Sequence, residues 1–181
     1  MSRQLAQLEG RKAARADEAA GVPHEPVFVG ETRERLERLA AKYPTRASCL
    51  LPALWMVQEA RGWISEGAIG EVAEVLGLTP AYVKGVVTFY TMYHTHPVGR
   101  HFVQVCTTSP CGLCGAEDTL RAILEHTGCR ELGATSPDGR FTVLEVECLG
   151  ACGFPTPVLI DDDFIESVTP EKVPDLLRRY P

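Results

Sequence analysis

The spacing of apolar side chains divides this chain into a first part with the period of helices and a second part with the period of strands. Between residues 31 and 93, apolar positions recur every three or four residues in successive segments, which is the pattern of amphipathic helices. Ser65 and Thr79 precede two of these segments as suitable N-caps, and Gly77 follows one as a helix end. The pattern therefore predicts a small helical bundle over residues 31–96.

Beyond residue 96 the apolar period falls to two. The segments HFVQVC, FTVLEVE and TPVLI predict three strands, with a helix from Leu113 to Thr127 between the first two. A short strand around residues 164–167 and a last helix in PEKVPDLLRRY complete the pattern. A strand–helix–strand unit takes a right-handed crossover, which makes its two strands parallel. The expected fold is α/β, with a thioredoxin-like domain over residues 97–181 after the bundle and a mobile polar tail at residues 1–30.

Four cysteines follow the first two predicted strands as two pairs. The segment VCTTSPC carries Cys106 and Cys111 after one strand, and ECLGACG carries Cys148 and Cys152 after the other. Because the carboxyl ends of parallel strands lie at one edge of a sheet, the two pairs are expected to meet there. Four thiolates saturate a [2Fe–2S] cluster. The arrangement predicts one such cluster, with these four residues as ligands and electron transfer as its chemistry.

Other assignments of the cysteines stay open at this point. Cys114 completes the C-x4-C-x2-C spacing of plant-type ferredoxins, so that Cys106, Cys111, Cys114 and one later cysteine form a rival ligand set. The two-pair set is preferred because Cys114 falls inside a predicted helix and because the rival leaves Cys148 or Cys152 unused. A structural zinc site also takes four cysteines. A redox-active C-x2-C pair is a further interpretation, but it gives the second pair of cysteines no role.

The composition excludes several classes of function. The 181 residues carry a net charge of −6 without a dense Lys/Arg cluster, which argues against nucleic acid as a partner. The longest apolar run, CLLPALWMV, is shorter than the about 20 residues of a spanning helix, so direct membrane insertion is not expected. Without a secretory signal, the seven cysteines indicate a reducing compartment, the cytoplasm. No P-loop, GxGxxG motif or nucleophile–base arrangement is present.

Several other residues have a plain structural interpretation. Cys49 and Cys129 are expected to be small apolar fillers of the two cores. His94 and His96 are expected to be ordinary surface or hinge histidines rather than metal ligands. The acidic residues 161–163 are expected to form a solvated hairpin turn.

Taken as a set, the motifs resemble a known family. VCTTSPC, VECLGACG, GVVTFYTMY, VTPEK and LLPALWMVQEARGWI are similar to segments of the two-iron, thioredoxin-like ferredoxin subunit of bacterial NADH:quinone oxidoreductase, respiratory complex I. The likeness runs from about Leu36 to Arg179. The resemblance implies that Cys106, Cys111, Cys148 and Cys152 hold the [2Fe–2S] cluster.

The resemblance also implies partners and a place in the cell. The family's subunit docks on a flavoprotein that binds NADH and FMN, exchanges single electrons with that FMN, and lies with other peripheral-arm subunits on the inner face of the cell membrane. The helical bundle would then supply much of the docking surface. An equivalent subunit of an NAD-reducing hydrogenase or of an NAD-dependent formate dehydrogenase, or a structural zinc-binding adaptor, is the alternative function.

Two features depart from the family's pattern. Cys114 stands where the family pattern leads us to expect a basic or other non-ligand residue, which places an additional thiol beside the expected cluster. The run FPTP at residues 154–157 replaces the usual Ala-Pro after the last cysteine, which changes the expected geometry of that loop. Neither departure alters the four expected ligands.

Overall fold

The computed structural model describes residues 24–181, which divide into two compact units at residues 24–97 and 98–181. Among these residues, no single helix is long and apolar enough to cross a membrane. Two consecutive helices, Glu66–Leu76 and Pro80–Phe89, have the length and apolar composition of a membrane span only when they are taken together, and they are bent by 119° at the break between them.

The described residues of the first unit contain four α-helices. They are α1 (Gly30–Ala40), α2 (Leu50–Arg61), α3 (Glu66–Leu76) and α4 (Pro80–Phe89), with a 3-10 turn at Arg46–Cys49. The Ser65 hydroxyl accepts the Ala68 N–H at 3.1 Å, and the Thr79 hydroxyl accepts the Tyr82 N–H at 3.3 Å. These two caps satisfy N–H groups that the first helical turn leaves open, and they confirm the helix starts expected from the sequence.

One apolar core joins the four helices. Its fully buried members include Leu36, Leu54, Val57, Val72 and Val83. Cys49 is completely buried among them, as a small apolar filler. Tyr43 and Tyr90 lie at the surface of this unit, 44% and 39% exposed.

Part of the predicted N-terminal tail belongs to this core. Residues 1–23 lie outside the described residues, but Val27 and Phe28 are 7% and 5% exposed and pack with the helices. Their backbone N–H groups donate to the Glu71 carboxylate on α3, at 2.9 Å and 2.7 Å. The tail expected at residues 1–30 is therefore corrected for residues 24–30, which a buried aromatic side chain and one carboxylate fix to the helical unit.

The second unit is a four-stranded mixed sheet with helices between and after its strands. Its strands are β1 (His101–Cys106), β2 (Phe141–Val146), β3 (Val158–Ile160) and β4 (Asp163–Ile165), in the order β2-β1-β3-β4. Helices α5 (Ser109–Leu113) and α6 (Ala116–Thr127) connect β1 to β2, and α7 (Val173–Leu177) follows a 3-10 turn at Pro170–Lys172. Strands β1 and β2 are parallel and the other two pairings are antiparallel, which confirms the expected parallel direction of the first two strands.

Inward side chains of the sheet and of α6 and α7 form a second core. Val103, Val105, Ile123, Val143 and Ile160 are completely buried in it. Cys129 is 6% exposed at its margin. This core holds β1 and β2 in register beneath the edge at which the cysteine loops begin.

Candidate metal centre

The two cysteine loops begin side by side. The parallel register places Cys106, the last residue of β1, opposite Val146, the last residue of β2. The Thr107 N–H continues the ladder by donating to the Val146 carbonyl at 3.4 Å. Cys148 follows only two residues later, so the fold brings both pairs to one edge of the sheet, as the parallel strands predicted.

The first pair of thiols lies in a small apolar pocket. Cys106 and Cys111 are each 1% exposed, and they pack with buried Ala116 and half-buried Leu149. Cys111 reaches this pocket because α5 begins only two residues before it, at Ser109. The apolar neighbours shield this pair of thiols from water.

The second pair faces outward. Cys148 and Cys152 are both exposed in the loop between β2 and β3. Gly150 takes a left-handed φ of 80°, and its N–H donates to the Cys148 sulfur at 3.4 Å. Such a backbone donor stabilises a thiolate.

All four sulfurs lie within electrostatic reach of one another. Burial, the neighbouring Cys106 thiol and the negative charges of Cys106, Cys152 and Cys148 together raise the pKa of Cys111 to about 12, with burial as the largest cause. The charge on Cys148 is the main cause that raises the pKa of Cys152, followed by burial. The repulsion between thiolate charges that contributes to these raised pKa values would be relieved by a cation bound between the sulfurs.

Cys106 differs from Cys111 and Cys152 in the direction of its pKa shift. Burial raises its pKa, but hydrogen bonds from the Thr108 hydroxyl and from the backbone N–H groups of Leu149 and Thr108 outweigh burial, so the pKa is lowered overall. The bond to Thr108 spans 3.1 Å between sulfur and oxygen. Cys106 is therefore the more easily ionised thiol of the buried pair.

The thiols meet as two pairs rather than at one point. Across residues 24–181, no three Cys, His, Asp or Glu side chains converge as the ligands of a single ion. Cys106 and Cys111 are buried together with Ala116, whereas Cys148 and Cys152 are exposed in the other loop. A [2Fe–2S] cluster takes two protein ligands on each of its two irons, so this donor set fits a two-iron cluster better than one tetrahedral zinc ion.

Cys114 is an exposed thiol outside the two pairs, but it does not lie inside a helix as the sequence predicted. The helix expected over residues 113–127 is interrupted, because Gly115 has a left-handed φ of 89° and separates α5 from α6. Cys114 caps α5 and is exposed, with its N–H bound to the Cys111 carbonyl at 3.0 Å.

Residues outside the cysteine loops keep structural roles. The backbone carbonyl of His94 accepts a hydrogen bond from the Ile64 N–H at 2.8 Å. Asp161 directly follows β3 and has a left-handed φ of 52°, and its carboxylate accepts from the Phe102 N–H at 2.8 Å. One residue of interest escaped the sequence analysis, namely Thr108, whose hydroxyl contacts a cysteine sulfur; the two threonines directly after Cys106 were the available signal.

Sequence comparisons extend the picture from the site to the whole chain. Residues 36–181 match the thioredoxin-like [2Fe–2S] ferredoxin family. The chain is 39% identical over 148 residues to the E subunit of the NADH-quinone oxidoreductase of Escherichia coli (strain K12), covering 82% of this chain and 89% of the relative. The second E subunit of the NADH-quinone oxidoreductases of Rhizobium meliloti (strain 1021) is 38% identical over 82% of this chain and 88% of its own length.

A eukaryotic relative and a solved structure add to these. NADH dehydrogenase [ubiquinone] flavoprotein 2, mitochondrial, of Dictyostelium discoideum is 41% identical over 83% of this chain, which spans 62% of that relative. A crystal structure of an NAD+-reducing [NiFe]-hydrogenase shares the fold, with a TM-score of 0.62 and 19% identity over 73% of this chain and 22% of the hydrogenase chain. The resemblance inferred from the motifs is confirmed, and this chain belongs to the thioredoxin-like [2Fe–2S] ferredoxin family.

Proposed function

We propose that this protein is the electron-transfer subunit of an NADH:quinone oxidoreductase and carries one [2Fe–2S] cluster on Cys106, Cys111, Cys148 and Cys152. The observation that carries the proposal is the meeting of two thiol pairs at one sheet edge. Its relatives of matching length are the E subunits of NADH-quinone oxidoreductases. The paired arrangement of the thiols argues against the structural zinc adaptor.

Each part of the site has a distinct task in this proposal. Cys106 and Cys111 hold one iron within the apolar pocket, and Cys148 and Cys152 hold the other at the surface. When bound, the cluster accepts and returns one electron at a time. Leu149 packs against the buried pair and excludes water, while the Gly150 N–H stabilises the Cys148 thiolate.

The surface around the exposed thiols suits a redox partner. Leu113 is 90% exposed beside the first pair, and Phe154 is 58% exposed beside the second. Neither stretch 102–120 nor stretch 141–160 contains Lys, Arg or His, so the charged side chains of these two stretches are all acidic. We propose that the flavoprotein that binds NADH and FMN docks here, and that the assembly lies on the inner face of the cell membrane. Electrons would enter and leave through Cys148 and Cys152, the exposed side of the site.

Substitution of Leu113 by glutamate is expected to weaken binding of that flavoprotein about tenfold or more, because a charge replaces an apolar contact beside the cluster. NADH added to the reconstituted pair should reduce the [2Fe–2S] cluster in the wild type and fail to do so at the same concentrations in the variant, as followed by EPR. Dithionite should reduce both equally. Phe164→Glu, on edge strand β4 and 46% exposed, is the matched control; equal NADH reduction in all three proteins would contradict this docking surface.

An aromatic surface on the helical unit is proposed as a second contact with the flavoprotein. Phe89 is 76% exposed, and its ring meets that of Tyr90 edge-on at 5.0 Å. The ring centroids of Tyr90 and Tyr93 are 6.4 Å apart, and those of Tyr93 and the half-exposed Trp55 are 5.8 Å apart. Tyr93 is the anchor of this series, since it is buried and donates from its hydroxyl to the Leu51 carbonyl at 3.0 Å. Rigid, exposed aromatic side chains are typical of interface centres.

Phe89→Ser is expected to weaken association with the flavoprotein while leaving the EPR signal of the dithionite-reduced cluster unchanged. The reason is that the side chain is mostly exposed and contributes little to the helical core. Binding can be measured by surface plasmon resonance with the immobilised flavoprotein. Tyr43→Ser provides a control, since Tyr43 is 44% exposed and lies outside the aromatic series. Unchanged binding of Phe89→Ser would remove the helical unit's aromatic surface from the interface.

A further inference from the structure

The Thr108 side chain lies between the two cysteine loops. Its hydroxyl oxygen is 3.1 Å from the Cys106 sulfur, and it also contacts the backbone carbonyl of Glu147. The Cys106 sulfur is itself 3.1 Å from that carbonyl oxygen. Glu147 directly precedes Cys148, so this triangle of atoms links a ligand of the first loop to the start of the second.

The proton count of this triangle changes when Cys106 binds iron. In the free thiol, the S–H donates to the Glu147 carbonyl. An iron-bound thiolate has no such proton, which leaves a sulfur lone pair facing a carbonyl lone pair at close range. The Thr108 hydroxyl then supplies the one side-chain proton of the triangle. Without it, the two acceptors repel each other across the gap between the loops.

We propose that Thr108 is a positioning residue that raises the reduction potential of the cluster by placing its hydroxyl proton between the Cys106 sulfur and the Glu147 carbonyl. This inference rests on the proposed function, because it requires Cys106 as a ligand. Reduction adds one electron, and therefore one negative charge, to the cluster and its four thiolates. A hydrogen bond to a ligand sulfur stabilises the more negative form more strongly. The contact of the same hydroxyl with the Glu147 carbonyl holds the start of the Cys148 loop beside Cys106.

The test compares three variants of the full-length chain in the purified, cluster-loaded state. Thr108→Val removes the hydroxyl at nearly constant volume, and Thr108→Ser keeps it. Thr107→Val is the matched control, since Thr107 is the neighbouring half-buried threonine and its backbone, not its hydroxyl, pairs with β2. The midpoint potential is measured by EPR-monitored redox titration, and resonance Raman spectra in H2O and D2O report the Fe–S(Cys) stretching bands.

Thr108→Val is expected to shift the midpoint potential to a more negative value and to reduce the D2O-dependent shift of the Fe–S(Cys) bands. Thr108→Ser and Thr107→Val should stay at the wild-type potential. Equal potentials in all four proteins, or an equal fall in both valine variants, would overturn the proposal while leaving the proposed function intact. If Thr108→Val does not retain the cluster, Thr108→Ala takes its place in the comparison with Thr108→Ser. A reduction potential of the alanine variant below that of the serine variant supports the proposal, and equal potentials overturn it.

The proposed function itself has a separate outcome in the same experiment. A wild-type chain without a [2Fe–2S] signal would overturn it.

Discussion

Replacing any one of Cys106, Cys111, Cys148 and Cys152 by alanine is expected to lower the iron content from about two atoms per chain to near zero. Each of these thiolates is one of two protein ligands on an iron, so its loss opens that iron to water and the cluster dissociates. Alanine is the appropriate substitute because a serine hydroxyl is itself a possible oxygen ligand. The measurements are iron and acid-labile sulfide analysis, visible absorption, and EPR after dithionite reduction.

The control for this series is Cys114→Ala, which removes an exposed thiol from the same loop as Cys111. We expect this variant to keep its iron, its red-brown colour and the wild-type EPR signal. Loss of the cluster in Cys114→Ala, together with its retention in Cys148→Ala or Cys152→Ala, would establish the plant-type ligand set instead. A colourless wild-type protein that contains zinc would exclude electron transfer by this chain.

The position of the site could be predicted from the sequence because it depends on local patterns and one topological rule. The period of two in HFVQVC and FTVLEVE locates β1 and β2, and the crossover between them makes them parallel. The cysteines follow these strands within a few residues, so the sheet edge brings them together whatever the exact loop geometry. Helix starts at Ser65 and Thr79 were predictable for the same reason, since the cap and the N–H group that it binds are only three residues apart.

The break between α5 and α6 could not be inferred from the apolar period. The sequence around Cys114 and Gly115 continues a helical pattern into the amphipathic helix α6, and a glycine inside a helix costs only about 1 kcal/mol relative to alanine. The structure uses Gly115 in its left-handed conformation instead, with a φ of 89°. This turn exposes Leu113, and it produces the apolar surface on which the docking prediction depends.

The ordering of residues 24–28 could not be predicted because it depends on partners far away in the sequence. The Glu71 carboxylate accepts from the backbone at Val27 and Phe28, 44 and 43 positions away. Arg61 adds a bond to the Glu25 carbonyl at 2.7 Å. No local period signals such contacts, because two adjacent apolar residues before a helix do not form an amphipathic pattern. The same limit applies to Thr108, whose second contact lies 39 positions along the chain.

Removal of iron and sulfide is expected to change which cysteines react with iodoacetamide. In the loaded protein only Cys114 should be modified rapidly, because it is exposed and holds no iron. In the protein freed of its cluster under anaerobic, reducing conditions, Cys148 and Cys152 should react rapidly as well. Peptide mass spectrometry after a short pulse at pH 8 measures the modified fraction at each position.

Cys49, Cys111 and Cys129 should remain slow after removal of the cluster, for two separate reasons. Cys49 and Cys129 lie in the two apolar cores, at 0% and 6% exposure. Burial raises the pKa of Cys111 to about 12, so its reactive thiolate is only on the order of 10⁻⁴ of the population at pH 8 and increases as the pH rises. Cys114→Ala is the control, since it should remove the rapid reaction of the loaded protein without exposing another thiol. If Cys114 were protected in the loaded protein while Cys148 or Cys152 reacted, the ligand assignment would have to move from the two pairs to the set that includes Cys114.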